Sequence, residues 1–302
     1  MFKKALFTFA LLCIIASLFI KIDTIISLRF MIAIWPFGHV IAFALPSFLL
    51  LSYCTKIKVL PPSKQFLVLT FLCFGLGGAI ELIQPYFSRS AEVEDLLFNY
   101  LGVLVAFLFF GNHSLHWLLK ATFIVGLGLF FNKSILIIAD EIKFHAEFPI
   151  LSTFEREIEL TRWRANLPLS IEQPVPEQPN KMLKISFAKS ERTGVTLRDF
   201  NKQWSEYSTL TMQFYNPNKI KTPVRLVITD NEFYKSEPTH KNRYQKVFQI
   251  LPGQQQIGLS LKEVKNGVEL RELNLEDISS LGLYINNPKS TTSLYLDSIY
   301  LE

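Results

Sequence analysis

A helix of about 20 apolar residues is long enough to cross a bilayer, and the first half of this chain is built from runs of that kind. The first extends from about Ala5 to Ile20 behind Lys3 and Lys4. No small-x-small cleavage site follows it, only Lys21, Ile22 and Asp23, so a retained signal anchor is expected. The second, Phe30 to Tyr53, carries no charge but holds Pro36, His39 and Pro46. The third, Phe66 to Ile83, carries Glu81 near its end, and the fourth, Leu96 to Phe110, carries Asn99. The fifth, Trp117 to Ala139, is interrupted by Lys133, whose stem can carry its charge to the headgroups. The pattern predicts a membrane α-helical bundle of about five transmembrane helices, with the lipid bilayer as first partner.

The positive-inside rule orients the bundle. With the N-terminus in the cytoplasm, the inner segments hold Lys3, Lys4, Lys56, Lys58, Lys64 and Lys120, and the outer loops only Lys21, Arg29 and Arg89. Five spans then place everything beyond about residue 140 on the outer or periplasmic side of an inner (cytoplasmic) membrane. Gly75, Gly77, Gly78, Gly126 and Gly128 lie within spans and are expected to permit close helix packing. A net charge of +5 without a dense basic stripe argues against nucleic acid as a partner. Cys13, Cys54 and Cys73 all precede the soluble half, so that half forms no disulfide of its own. No Cys/His cluster suggests a metal, and no cofactor is expected.

Polar groups inside spans are costly, so each is a candidate for function. Glu81 and Gln84 are three apart and share a helical face; Asp95, Asn99 and Gly102 share another. The short connection carrying Arg89 and Ser90 brings those faces to one depth, where His39 also falls. His39, Glu81, Gln84, Arg89, Asp95 and Asn99 therefore form a candidate outward-facing polar site. A purely structural cluster, with Arg89 paired to Asp95 and Asp95 capping a helix start, accounts for the spacing equally well.

This ordered set over residues 30–112, namely Gly38-His39, Glu81-x-x-Gln84, Arg89 with Asp95, and Asn99-x-x-Gly102, resembles the VanZ-like membrane family. The acidic-lysine pair that this family often carries before the histidine is replaced here by Trp35-Pro36-Phe37. The resemblance implies a cell-envelope role connected with glycopeptide response, on lipid-linked or surface glycan material. It names a site better than a reaction.

From Phe148 the pattern changes to alternating apolar and polar residues, as half-buried strands require. Segments 154–163, 182–187, 210–215, 224–229, 244–250, 256–261, 281–285 and 293–301 read as strands, separated by turn signals such as Asn216-Pro217-Asn218 and Pro252-Gly253. An all-β jelly-roll sandwich is expected over 148–302, behind a transmembrane domain over 1–147. Phe154-Glu155, Trp163, Trp204-Ser205-Glu206-Tyr207, Pro252-Gly253 and the closing 294–301 strand resemble galactose-binding-like jelly rolls, a fold shared by many carbohydrate-binding modules. Sugar rings stack on exposed aromatic faces, which makes Trp204, Tyr207, Tyr234 and Tyr244 the candidate glycan contacts, although a place in the core is the preferred reading of Trp163 and Trp204. Three functions remain open from sequence: an envelope protein that binds glycan or a protein partner, an intramembrane enzyme acting on a lipid-linked or phosphorylated intermediate, and a non-catalytic scaffold.

Overall fold

The computed structural model describes residues 27–87, 92–175, 179–189, 192–236, 238–286 and 291–302. The first apolar block and the Arg89-Ser90 connection lie outside the described residues. The chain forms two compact units, Met1–Ile138 and Ala139–Glu302.

Five long helices occur in order: α1 (Leu28–Tyr53), α2 (Pro62–Ile83), α3 (Val93–Phe110), α4 (Trp117–Phe130) and α5 (Asn132–Glu147). Three described segments are long and apolar enough to span a membrane, namely α1, α3 and Pro62–Tyr86, which continues α2. The pair α4 and α5 makes a fourth only if a 59° bend is accommodated within one span. The expected fifth block is thus broken at Phe131, two residues before the Lys133 that interrupts its apolar run.

Local chemistry sets the helix ends. Ser27 caps α1 by accepting from the Phe30 N–H at 3.1 Å, and Pro62 occupies the first turn of α2, where its missing N–H is no loss. Gln65 is 1 % exposed and ties three segments together. Its Nε2 donates to the carbonyls of Ile57 and Lys58, and its Oε1 accepts from the Asn112 N–H. Gly102 is what lets α1 and α3 touch: a Cβ there would run into the Val40 carbonyl and the Ala44 nitrogen. Gly77 does the same against Leu96 and Asn99, each 3.1 Å from a notional Cβ. Gly75, Gly78, Gly126 and Gly128 face open space, so packing accounts for Gly77 alone among the five glycines singled out for it. Leu28, Ile32, Phe71, Leu76 and Leu82 point outward, as lipid-facing side chains would.

The second unit is an antiparallel β-sandwich. Its strands are β1 (Ile150–Ser152), β2 (Trp163–Ala165), β3 (Ser170–Glu172), β4 (Met182–Phe187), β5 (Arg192–Leu197), β6 (Thr209–Asn216), β7 (Thr222–Asp230), β8 (Tyr244–Ile250), β9 (Gly253–Ser260), β10 (Ile278–Asn286) and β11 (Thr292–Leu301). One sheet runs β3-β4-β11-β6-β9, with β1 also on β11; the other runs β2-β5-β10-β7-β8. Inward residues alternate along each strand: Leu183, Ile185 and Phe187 on β4, Leu210, Met212 and Phe214 on β6, and Leu281, Leu283 and Ile285 on β10 all enter one core. Residues 154–163, expected as a strand, instead form a 3-10 turn over Glu157–Arg162. The buried Glu159 carboxylate reaches back to the N–H groups of Thr153 and Phe154 and holds Phe154 at φ +60°.

The sandwich unit begins inside α5, so it takes in residues that the sequence boundary at 147 left with the helices. Phe144 joins its core. Asp140, fully buried, accepts from Arg162 Nη2 at 2.7 Å and Nε at 3.1 Å, while Arg156 lies 3.0 Å from its other oxygen.

Candidate functional site

In the helical unit, three of the six candidate polar residues are brought into direct contact. His39 is fully buried; its Nε2 lies 3.1 Å from Asp95 Oδ2 and its Nδ1 2.9 Å from Asn99 Oδ1. Trp35 stands edge-on to the imidazole, with ring centroids 5.3 Å apart, and its indole N–H reaches Asp95 Oδ2 at 3.5 Å. Asp95 and Asn99 meet His39 because they are four apart on the face of α3 that packs against α1. Asp95 does not cap α3: the N-cap is Glu92, whose side chain makes no cap hydrogen bond, and the Asp95 carboxylate is turned toward His39.

The other carboxylate does the capping. Glu81, near the end of α2, accepts from the Glu92 N–H at 2.9 Å, placing negative charge at the positive end of α3. Gln84 is fully buried in the 3-10 turn that follows α2. Arg89 lies outside the described residues.

The hydrogen-bond roles at His39 are chemically informative. Nε2 faces Asp95 Oδ2 as an ion-pair contact rather than as a hydrogen bond. Nδ1 donates to the Asn99 oxygen in one tautomer, or accepts from the Asn99 amide turned by half a rotation in the other.

In the sandwich, Trp204 is fully buried against Phe200, with its N–H donated to the Asn201 carbonyl. Tyr244 is 3 % exposed, and its hydroxyl donates to Glu263. Neither ring offers a face to solvent, because both fill the core between the sheets. Tyr207 is half-buried against Phe148. Tyr234 is exposed on the one-turn helix Glu232–Lys235. These rings do not form a common surface.

A different tyrosine does lie on a sheet face. Tyr284, on the outward side of β10, crosses the space above Gly194 of β5 and Gly282 of its own strand; a Cβ at either glycine would strike its ring. Its hydroxyl makes a short hydrogen bond with Thr196, so the ring is pinned along the sheet. Arg225 is its register partner on β7, and Val247 is the next across, on β8. The only carboxylate in these five strands is Asp230, which is fully buried. Burial acts to raise that carboxyl, but hydrogen bonds from Arg271, Asn274 and Phe233 outweigh it and hold it below the usual carboxylate range. The sequence reading marked β10 as a strand but did not select Tyr284. The available signal was Gly282-x-Tyr284, a glycine two residues away on the same face.

No protein-family model matches the chain, the VanZ-like resemblance of its first half included, and no curated protein does. Among solved structures, the sandwich resembles the family 11 carbohydrate-binding module from Clostridium thermocellum, described in complex with a beta-1,3-1,4-mixed-linked tetrasaccharide. The identity is 13 %, over 50 % of this chain and 93 % of that one, with a TM-score of 0.37. A carbohydrate-binding module of family 28, specific for non-crystalline cellulose, gives 13 % identity, coverage of 51 % and 94 %, and a TM-score of 0.37. An exo-beta-agarase gives 17 % identity and a TM-score of 0.42, over 51 % of this chain and 24 % of that one. These likenesses are of fold.

Proposed function

We propose that the chain is a multi-pass envelope protein of the VanZ-like type, anchored in the inner membrane, whose exported β-sandwich recognises an envelope glycan. The observation that carries the reading is the Tyr284 ring laid across Gly194 and Gly282. A sugar's C–H face stacks on such a ring. Arg225 beside it, on strands with no exposed carboxylate, favours a sugar bearing negative charge. The test is binding of hexagalacturonate and of peptidoglycan fragments to the full-length protein in nanodiscs. Tyr284→Ala should weaken the best of these ligands by about tenfold or more, the scale of a lost stacking platform. Unchanged affinity would remove the platform from consideration.

A second reading, intramembrane catalysis, is favoured by the His39–Asp95–Asn99 contacts. A fully buried imidazole with polar partners at both nitrogens is placed as a general base or acid. In this reading the substrate is a lipid-linked or phosphorylated envelope intermediate, with Arg89 holding its phosphate. Turnover of a lipid-linked sugar diphosphate by purified protein, lost in His39→Gln and Asp95→Asn variants that accumulate normally, is the expected result. If neither variant accumulates, the cluster belongs to a scaffold.

A further inference from the structure

The sheet opposite Tyr284 carries a feature that the glycan reading above does not use. On the outward face of β4, β11, β6 and β9 lies a cleft of about 390 Å³. Its polar lining comes from Asn180, Gln213, Gln254, Gln255, Gln256 and Asp297, and Met182 forms part of its wall. The register explains how these residues meet. Gln213 on β6 faces Gln256 on β9, and Tyr215 faces Gln254. On the other side of β6, the ladder with β11 shifts between Leu296 and Ser298, and that irregularity leaves Asp297 unpaired in the ladder and reaching the cleft. Asn180 donates to Asp297 at 2.9 Å and fixes it.

The chemistry of this lining is specific. No lysine or arginine lines the cleft, so an anionic ligand would find no counter-charge. Each primary amide offers both a donor and an acceptor, as does each hydroxyl of a vicinal diol. Gln213 and Gln256 make no side-chain hydrogen bond to any other described residue, so their donors and acceptors stay open to a ligand. Tyr215, half-buried one register position along β6, extends the surface with a ring, and the buried Tyr295 beside it supports that ring at a centroid distance of 6.0 Å. Tyr295 is itself held by its hydroxyl on Glu172 at 3.0 Å. The assembly sets two open amides, Gln213 and Gln256, next to a braced aromatic, with one carboxylate able to accept from hydroxyls.

We propose that this cleft is a second saccharide site, on the sheet opposite the Tyr284 platform, and that it takes a neutral sugar chain. The inference goes beyond the envelope-glycan reading and does not depend on it. One site has a cation beside its ring and selects charge; the other has amides and selects hydroxyl pairs.

The test uses the full-length protein in nanodiscs and a panel of neutral hexasaccharides, namely cellohexaose, xylohexaose, galactohexaose and chitohexaose, with hexagalacturonate as the charged counterpart. At least one neutral chain should bind, and the Gln213→Ala/Gln256→Ala double variant should weaken it about tenfold or more. Tyr284→Ala should leave that binding unchanged. Both substitutions sit on an outward sheet face, and an unaltered melting temperature shows that the variant remains folded. Failure of all four neutral chains to bind at millimolar concentration overturns the proposal. So does neutral binding that survives the double substitution or disappears with Tyr284→Ala. Loss of hexagalacturonate binding through Tyr284→Ala alone speaks only to the platform, so the two sites fail separately.

Discussion

Asp140→Ala in a fragment spanning residues 139–302 should destabilise the sandwich far more than a helix-end substitution ordinarily does. Asp140 is fully buried and Arg162 is 2 % exposed. Two of the guanidinium's nitrogens donate to one carboxylate oxygen, and a third donates to the Leu151 carbonyl at 3.2 Å. Its plane lies 4.2 Å from the Phe144 ring centroid. Among the described residues Asp140 is the carboxylate paired with Arg162, and alanine there leaves the Leu151 bond and the ring contact, which cannot neutralise a buried cation. Breaking such a pair from one side costs about 3–5 kcal/mol. A domain of this size is stable by about 5–15 kcal/mol, so a large share of the total is at stake. Arg156, also bonded to Asp140, adds little to the loss because it is 31 % exposed and retains Glu159 and Glu147 nearby. The double variant Asp140→Leu/Arg162→Met removes both charges and should recover most of the loss, since apolar replacement of a buried pair is close to neutral. The assay is urea unfolding followed by the fluorescence of Trp163 and Trp204, with the midpoint and slope fitted together. A loss below about 1 kcal/mol for Asp140→Ala, or a double variant as unstable as the single, would refute the view that this pair fastens the end of α5 to the sheets.

Three further outcomes are expected. Gly102→Ala should lower the membrane level of the full-length protein, because its Cβ meets the Val40 carbonyl and the Ala44 nitrogen, and overpacking of this kind costs about 1–3 kcal/mol or more; an immunoblot of the membrane fraction checks it, with Gly75→Ala as a neutral control. Glu159→Ala should cost the fragment about 1–3 kcal/mol by stranding the Thr153 and Phe154 N–H groups and releasing the left-handed Phe154, measured in the same urea assay. Asp230, held below the ordinary carboxylate range, contributes stability that is present above about pH 4 and is lost as pH falls through its lowered folded-state value. Unfolding measured from pH 5 downward should show that loss in the native fragment, and Asp230→Asn should flatten it; Asp297, raised by burial, acts with the opposite sign.

Much of this architecture is legible in the sequence, because the two periodicities that define it are local. An uninterrupted apolar run reports α1 and α3 directly, and alternation reports β4, β6, β7, β8 and β11 within a residue or two. What escapes is set by distant partners. β5 went unread because Gly194, at its centre, has no side chain to continue the alternation; its reason for being there is a ring from β10. Residues 154–163 looked like a strand because their apolar positions alternate, yet Glu159 turns back on the chain and draws them into a 3-10 turn. No count of hydrophobic residues reveals a carboxylate that prefers two backbone N–H groups five and six residues behind it.

The polar cluster shows the same limit from the side of function. Helical spacing correctly placed Asp95 and Asn99 on one face, since that relation lies within α3 alone. It could not divide the work between the two carboxylates. Glu81 and Asp95 are equivalent as letters, both acidic and both near a helix end. In three dimensions Glu81 meets the N–H of Glu92, the N-cap of α3, whereas Asp95, in the first turn of that helix, meets an imidazole from α1. The first role sets one carboxylate oxygen on a backbone N–H. The second joins a carboxylate of α3 to an imidazole carried by α1. Gly102 is as much a part of the α1–α3 contact as His39 is, because a Cβ there would keep the two helices too far apart for the imidazole to reach both partners.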